Sequence, residues 1–208
     1  MPGVGKTQLA LKFATLAFQK GQHPYIFWVS AVSVEKLTQD ASKLVDLLRL
    51  PARYTLNQAS RVTTARSWLE DSTAAKSWLV VLDNLSEETA TTTLRDFLPR
   101  HNHGGRILMT TRIATTAERY TASGGSLQLA LQPPGIDDAM TMLSAGAKLE
   151  QEGRKEANCV DLKRLVRSVG SLPLAIDQAA SYMRDTGSSP QELLDVYESE
   201  EVMEVSKQ

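Results

Sequence analysis

The sequence predicts an α/β fold, in which helices cover both faces of a mostly parallel sheet, followed by a small all-helical domain. Strand patterns alternate with helix patterns along the first part of the chain, as is typical of parallel strands joined by helical crossovers. After Pro133 and Pro134 only helical patterns remain. We therefore expect an α/β domain over residues 1–132, a helical domain over residues 133–197 and a charged tail over residues 198–208.

Short apolar runs are the predicted strands. Residues 25–30 are aromatic and β-branched, residues 78–83 form the clearest strand pattern of the chain, and residues 106–110 follow a pair of glycines. A weaker strand is expected over residues 127–131. Continuous apolar runs, as opposed to alternating ones, indicate strands that are buried on both faces of the sheet.

Helical periodicity accounts for the segments between and after these strands. A helix over residues 8–20 is predicted to bury one apolar face, formed by Leu9, Phe13, Leu16 and Ala17. The next helix is expected to begin after the capping residue Ser33 and to continue to about residue 50, since Pro51 stops it. The remaining predicted helices cover residues 58–70, 86–97, 137–147, 160–169 and 174–184.

Composition excludes several classes of protein. Apolar residues make up 42% of the chain and charged residues 23%, which is typical of a globular protein and not of a disordered one. The net charge of -1 gives no global attraction to nucleic acid or anionic membranes, and no apolar run approaches the roughly 20 residues that span a bilayer. The single cysteine excludes a disulfide framework. We expect a cytoplasmic location, with no nucleic-acid partner and no membrane partner.

A phosphate-binding motif opens the chain. Gly3-Val4-Gly5-Lys6-Thr7 stands directly before the first helix and matches the end of the P-loop pattern, which is Gly, four residues, then Gly-Lys-Ser/Thr. Glycines let backbone N–H groups point toward phosphate oxygens, and the helix N-terminus adds its positive dipole. We expect Lys6 to reach the β- and γ-phosphates, Thr7 to ligate Mg²⁺ and Gln8 to contact phosphate oxygens. The first glycine of the pattern would precede Met1, so it and the strand that carries it are expected to be missing.

An acid at the end of the clearest strand is the second expected Mg²⁺ ligand. Asp83 ends that strand, and the carboxyl ends of parallel strands form the edge where ligands bind. Taken alone, an aspartate here is equally typical of a turn or cap. Asn84 follows it, and an amide cannot accept a proton as a carboxylate does. We therefore expect slow hydrolysis unless Glu87, Glu88 or a partner supplies the base.

An arginine follows the next strand. Arg112 ends the run Met109-Thr110-Thr111-Arg112, where its guanidinium can project toward a γ-phosphate and report its presence. Thr110 and Thr111 are expected to orient this arginine or to contact water. An ordinary surface ion pair is the alternative role for Arg112.

Four motifs in this order resemble the NB-ARC domain, the nucleotide-binding switch of STAND-class P-loop NTPases. That family includes apoptosis proteins, plant resistance proteins and fungal NOD-like receptors. The motifs are Gly-Val-Gly-Lys-Thr, a strand ending in Leu-Asp-Asn, Gly-Gly-Arg-Ile-Leu-Met-Thr-Thr-Arg, and Gly-Ser-Leu-Pro-Leu-Ala. The run from Pro173 to Ala180 is most similar to the fungal branch. The resemblance spans residues 3–197. It implies the three-layer parallel sheet of a P-loop NTPase, here lacking its first strand, followed by a helical domain.

The resemblance also implies residue roles. Residues 3–8 would bind the phosphates of ADP or ATP, Thr7 and Asp83 would hold Mg²⁺, and Arg112 would sense the γ-phosphate. Pro173 would pack against adenine, although Ser171 is inserted relative to the shortest form of its motif. A plain connector between helices is the alternative role for Pro173, because proline breaks a helix in any context.

The resulting functional hypothesis is a nucleotide-dependent regulatory switch of a STAND or NOD-like signalling protein, with slow hydrolysis or none. Its partners would be nucleotide and other protein domains, or a second copy of the chain. The alternatives are an active ATPase, and a fragment that binds no nucleotide and acts only through protein contacts. By resemblance, the missing strand would lie between the strand before Arg112 and the weak strand over residues 127–131. We therefore expect weak nucleotide binding by the isolated chain.

Overall fold

Three parallel strands form the sheet in the order β1-β2-β3: β1 (Tyr25–Ser30), β2 (Trp78–Leu85) and β3 (Arg106–Thr111). The computed structural model describes residues 1–71, 77–101, 104–121, 126–149 and 156–205. Within it the chain divides into two compact units, Lys6–Leu129 and Met1–Gly5 with Ala130–Gln208. The sheet belongs to the first unit. The predicted fold class, a P-loop-type parallel sheet with surrounding helices and then further helices, is confirmed.

Strand β2 is central, and its side chains alternate between two cores. Val80 and Leu82 face a core with the helices α2 (Val34–Leu47), α3 (Gln58–Glu70) and α5 (Leu94–Phe97). Leu79 and Val81 face the opposite core, formed with α1 (Lys6–Gln19). All four side chains are at most 1% exposed, so the continuous apolar run correctly indicated a strand buried on both faces.

The buried face of α1 differs from the prediction. Ala10, Ala14 and Ala17 are buried, whereas Leu9 and Phe13 are 49% and 48% exposed and Leu16 is also exposed. Both sets follow helical spacing, so periodicity could not choose between them. The alanine stripe faces the sheet because small side chains let the helix backbone approach the strands closely. Only Ala17 was assigned to the correct face.

The weak strand expected over residues 127–131 does not form. Residues 126–135 carry no regular structure, and Leu127 and Leu129 are exposed. A strand needs a neighbour to pair its backbone groups, and none of the described strands lies beside this segment. The alternating leucines of this segment are therefore insufficient to form a strand.

Several helix boundaries also differ from the prediction. Ser33 caps α2 as expected, because its side chain accepts a hydrogen bond from the Lys36 N–H. The helix ends at Leu47, before the predicted end near residue 50, and Arg49 just beyond it adopts a left-handed conformation. The segment after Ser86 forms two short helices instead of one, α4 (Glu87–Thr91) and α5, and an unpredicted α6 covers Ala114–Thr121.

All the regular structure described in the second unit is helical. Its helices are α7 (Ile136–Gly146), α8 (Glu156–Ser168), α9 (Pro173–Thr186) and α10 (Pro190–Val205). They share a core that includes Leu143, Leu165, Ile176 and Leu194. The last helix was not predicted, and it continues to residue 205 within the segment assigned to the charged tail; residues 206–208 lie outside the described ranges. No helix in the described ranges is both long and apolar enough to cross a membrane.

Candidate functional site

The carboxyl end of β2 carries a bulge. Leu82 pairs with Met109 and Leu85 pairs with Thr111, so β2 contains one extra residue over this interval. Asn84 within the bulge has a positive φ of 58°. Asparagine tolerates this left-handed conformation better than most residues, and bulges commonly redirect a side chain at the end of a strand. The bulge therefore interrupts the regular alternation of side chains at Asp83.

Asp83 lies at the centre of a hydrogen-bond cluster. The Thr7 Oγ1 donates to Asp83 Oδ1 over 2.9 Å, and the Thr110 Oγ1 donates to the same oxygen over 2.6 Å. An ionised carboxylate only accepts, so both hydroxyls must be donors. No described residue donates a hydrogen bond to Oδ2. The fold thus brings together the two predicted Mg²⁺ ligands, which are 76 positions apart in sequence.

The chemistry of this cluster fits Mg²⁺. Carboxylate and hydroxyl oxygens are hard ligands, and Mg²⁺ sites commonly use one or two protein ligands together with waters and substrate phosphates. Among the described residues, no group of three or more His, Cys, Asp or Glu side chains is placed to hold a metal ion. An ion held by Thr7 and Asp83 would therefore take its remaining ligands from water or a bound phosphate.

Lys6 and Thr7 occupy the first turn of α1, whose unpaired N–H groups and dipole favour an anion. Lys6 is half-buried, while Thr7 and the neighbouring Gln8 are exposed. The predicted Mg²⁺ and phosphate ligands on this helix therefore stand at its positive end. That placement is the one a phosphate-binding loop requires.

The first five residues belong to the other unit. Gly3 and Gly5 have φ values of +72° and +93°, a region that residues with a Cβ rarely adopt, and Val4 between them is buried. The Gly3 carbonyl accepts a hydrogen bond from the Leu174 N–H over 3.2 Å. A glycine-dependent backbone is therefore present at the predicted positions, and it is tied to the start of α9.

Pro173 is the first residue of α9, where a missing N–H costs nothing. Before it, α8 ends with the Ser171 N–H bonded to the Val166 carbonyl, and both Gly170 and Ser171 have positive φ. Leu174 then offers an N–H of the first helical turn to Gly3. The inserted serine is thus accommodated in the helix end that precedes Pro173.

Arg112 follows β3 directly, and its side chain is exposed. Within the described ranges it forms no ion pair, which was the alternative role. The two preceding threonines have different bonds: Thr111 donates to the Leu85 carbonyl, whereas Thr110 donates to Asp83. Sequence reasoning assigned Thr110 to Arg112 or to water and missed its contact with Asp83. The signal that could have indicated this contact was a hydroxyl residue near the end of β3, the strand that pairs with the strand carrying Asp83.

Comparisons with known proteins indicate the family of the chain. The family model described as "NB-ARC domain" matches residues 1–150. The chain is 28% identical, over 95% of its length, to a nucleotide-binding leucine-rich repeat (NLR)-like protein of Hyaloscypha variabilis. It is also similar to two Arabidopsis thaliana proteins, at 30% identity to disease resistance protein RPP13 and 31% to putative disease resistance RPP13-like protein 2, each over 57% of the chain.

The matches cover only part of each relative. The chain spans 20% of the fungal protein and 14% of each plant protein. The family match, by contrast, takes in most of the chain, including the glycine motif, Asp83 and Arg112. On that basis the chain belongs to the NB-ARC family.

Proposed function

We propose that this chain is a nucleotide-binding regulatory module that takes ADP or ATP with Mg²⁺. The hydrogen bond between Thr7 Oγ1 and Asp83 Oδ1 carries the proposal. It joins the hydroxyl of a phosphate-loop sequence to a carboxylate at the end of the central parallel strand, which is the pairing a Mg²⁺–phosphate site needs.

The remaining site residues have roles that follow from their positions. Gly3, Val4 and Gly5 would offer backbone N–H groups to phosphate, and Lys6 and Gln8 would contact phosphate oxygens. Arg112 would sense a γ-phosphate, and Pro173 would pack against adenine. Thr7 and Asp83 would hold Mg²⁺, which would supply positive charge to neutralise the phosphates.

Slow hydrolysis is part of the proposal. Asn84 follows Asp83 and offers no carboxylate to activate water. Glu87 and Glu88 are exposed in the first turn of α4, where the helix dipole stabilises their negative charges. We therefore propose a switch whose state depends on which nucleotide is bound, and not an enzyme with fast turnover.

The signalling context rests on the relatives. Their names describe an NLR-like protein and disease resistance proteins, each much longer than this chain. We propose that the module acts within such a signalling protein, in the cytoplasm, through other protein domains or a second copy. Differential contacts of the two nucleotides would bias a two-state equilibrium, since a ligand shifts states only by its difference in affinity.

Calorimetric titration with ADP and ATP, with and without Mg²⁺, tests the proposal. We expect weak binding, so nucleotide should reach the millimolar range, and Lys6→Ala should lower the affinity about 10-fold or more. Lys12→Ala is the matched control, because Lys12 is exposed on the same helix and lies outside the motif. Absence of binding by the unmodified chain would favour the alternative of a fragment acting only through protein contacts. Rapid phosphate release would favour an ATPase.

A further inference from the structure

Thr110 connects two neighbouring residues of β2 through one hydroxyl group. Its Oγ1 donates to Asp83 Oδ1 over 2.6 Å and accepts from the Asn84 N–H over 2.8 Å. A threonine hydroxyl has a single donor, so that donor is fully used by the carboxylate. Thr110 is only 7% exposed, whereas Asp83 and Asn84 are half-buried.

The bulge makes this contact necessary. Asn84 lies where the β2–β3 register shifts, so its N–H has no regular ladder partner and bonds to the Thr110 side chain instead. A half-buried N–H without a partner is costly. One hydroxyl thus satisfies the bulge and, at the same time, directs a proton at Oδ1 of the adjacent carboxylate.

We infer that Thr110 is a positioning residue that orients the Asp83 carboxylate for the Mg²⁺ of a bound nucleotide. Together with Thr7 it donates to Oδ1 and restricts rotation of the carboxylate, while Oδ2 accepts no hydrogen bond from the described residues. This inference rests on the proposed function, and it adds a residue that touches neither nucleotide nor metal. Since Thr110 lies two positions before Arg112 on the same strand end, it also links the cation ligand to the proposed γ-phosphate sensor.

Thr110→Val separates positioning from packing. Valine has nearly the same shape but no hydroxyl, whereas Thr110→Ser keeps the hydroxyl and loses a methyl group. Thr111→Val is the matched control, because Thr111 is the next residue of β3 and its hydroxyl bonds the Leu85 carbonyl instead of Asp83. Circular dichroism and urea unfolding identify any variant that is not folded.

The decisive readout is the dependence of nucleotide affinity on Mg²⁺. We expect Thr110→Val to lower the affinity for Mg²⁺-nucleotide about 10-fold, as expected for losing a hydrogen bond to a charged group. Its affinity in EDTA should match the unmodified chain, Thr110→Ser should recover most of the loss, and Thr111→Val should show none. Equal losses with and without Mg²⁺, or no loss at all, would overturn the positioning role.

Hydrogen exchange of the Asn84 amide tests the geometry without nucleotide. Exchange should accelerate in Thr110→Val but not in Thr111→Val, because only the former removes the acceptor. Unchanged exchange would overturn the inference even if nucleotide binds as proposed. Accelerated exchange in a chain that binds no nucleotide would instead locate the failure in the proposed function, and the cation role of Thr110 would fall with it.

Discussion

The two ends of the parallel sheet both pair a titratable side chain with hydroxyl groups, but they are built differently. At the amino end, His23 Nδ1 lies 2.8 Å from Ser77 Oγ, which donates to the Gln22 carbonyl over 2.8 Å. At the carboxyl end, two threonine hydroxyls converge on Asp83 Oδ1 and leave Oδ2 without a described partner. The first cluster ends in a hydrogen bond to a backbone carbonyl, so we call this the closed end of the sheet. The second cluster leaves one carboxylate oxygen without a described hydrogen-bond donor.

Packing and strain follow the same division. At the amino end Gly105 lies against the ring of Trp78, whose Nε1 donates to the Leu69 carbonyl over 3.1 Å. At the carboxyl end the strand bulges and Asn84 takes a left-handed conformation. A closed, filled end contributes stability, whereas strain and an acceptor without a described donor are the features expected of the proposed ligand site. Mutations at the two ends should therefore affect different measurements.

The largest expected effect is on stability at the amino end. A Cβ added at Gly105 would lie 2.1 Å from ring atoms of Trp78, which is 1% exposed and has no room to move. Gly105→Ala should lower the free energy of unfolding by about 3 kcal/mol, as overpacking of a filled core does. Urea unfolding followed by Trp fluorescence measures it.

Gly135→Ala is the control for this substitution. A Cβ at Gly135 meets nothing within 4 Å, and its φ of -59° suits alanine. Its cost should stay below about 1 kcal/mol, set by its position at the N-cap of α7. Similar costs for both substitutions would mean that the amino end is not tightly filled.

At the carboxyl end the expected loss is in binding. Asp83→Asn keeps an oxygen acceptor for Thr7 and Thr110 but removes the negative charge. We expect Mg²⁺-dependent nucleotide affinity to fall about 10-fold or more with little change in the urea midpoint. Asp96→Asn, an exposed neutralisation on α5, should leave affinity unchanged. A large loss of stability with unaltered affinity would assign Asp83 a structural role and blur the distinction between the two ends.

The difference between the ends also explains what could be predicted from the sequence. Lys6, Thr7 and Asp83 could be proposed as site residues because a local motif and a strand end mark them, and the structure joins Thr7 to Asp83 by a hydrogen bond. Thr110 was misassigned because its contact depends on the β2–β3 register and on a bulge, neither of which has a local signal. The positions of β1, β2 and β3 were predicted well, because short apolar runs mark strands. Burial on both faces holds only for β2, since Tyr25 and Trp28 of β1 are exposed and the apolar residues of β3 are half-buried.

Other errors arose where two physical solutions shared one pattern. The exposed face of α1 and its buried face have the same periodicity, and close packing against the sheet selected the alanines. Residues 127–131 have a strand-like alternation, but pairing depends on a neighbour elsewhere in the chain. The contact of His23 with Ser77, 54 positions apart, likewise had no sequence signature.

The smallest expected effect concerns His23. Burial, and to a lesser degree the positive charge of Arg106, lowers the pKa of His23 below its ordinary value of 6.5. The folded state therefore binds fewer protons than the unfolded state between these two pKa values, and stability must rise with pH across that interval. In the other direction, stability is fully present above the unfolded pKa and declines as pH falls through about 6.5 toward the folded pKa.

His23→Gln tests this prediction, because glutamine keeps a polar side chain near Ser77 but does not titrate. The unfolding free energy of the unmodified chain minus that of His23→Gln should decrease as pH falls from about 7.5 to about 5, the range in which histidine titrates. Every other titratable group is common to the two proteins, so its contribution cancels in this difference. Nucleotide affinity should be the same in the unmodified chain and in His23→Gln, because this histidine lies at the closed end of the sheet. A difference that grows on acidification would show that His23 is stabilised in its charged form, so that the amino end, like the carboxyl end, is arranged to hold charge.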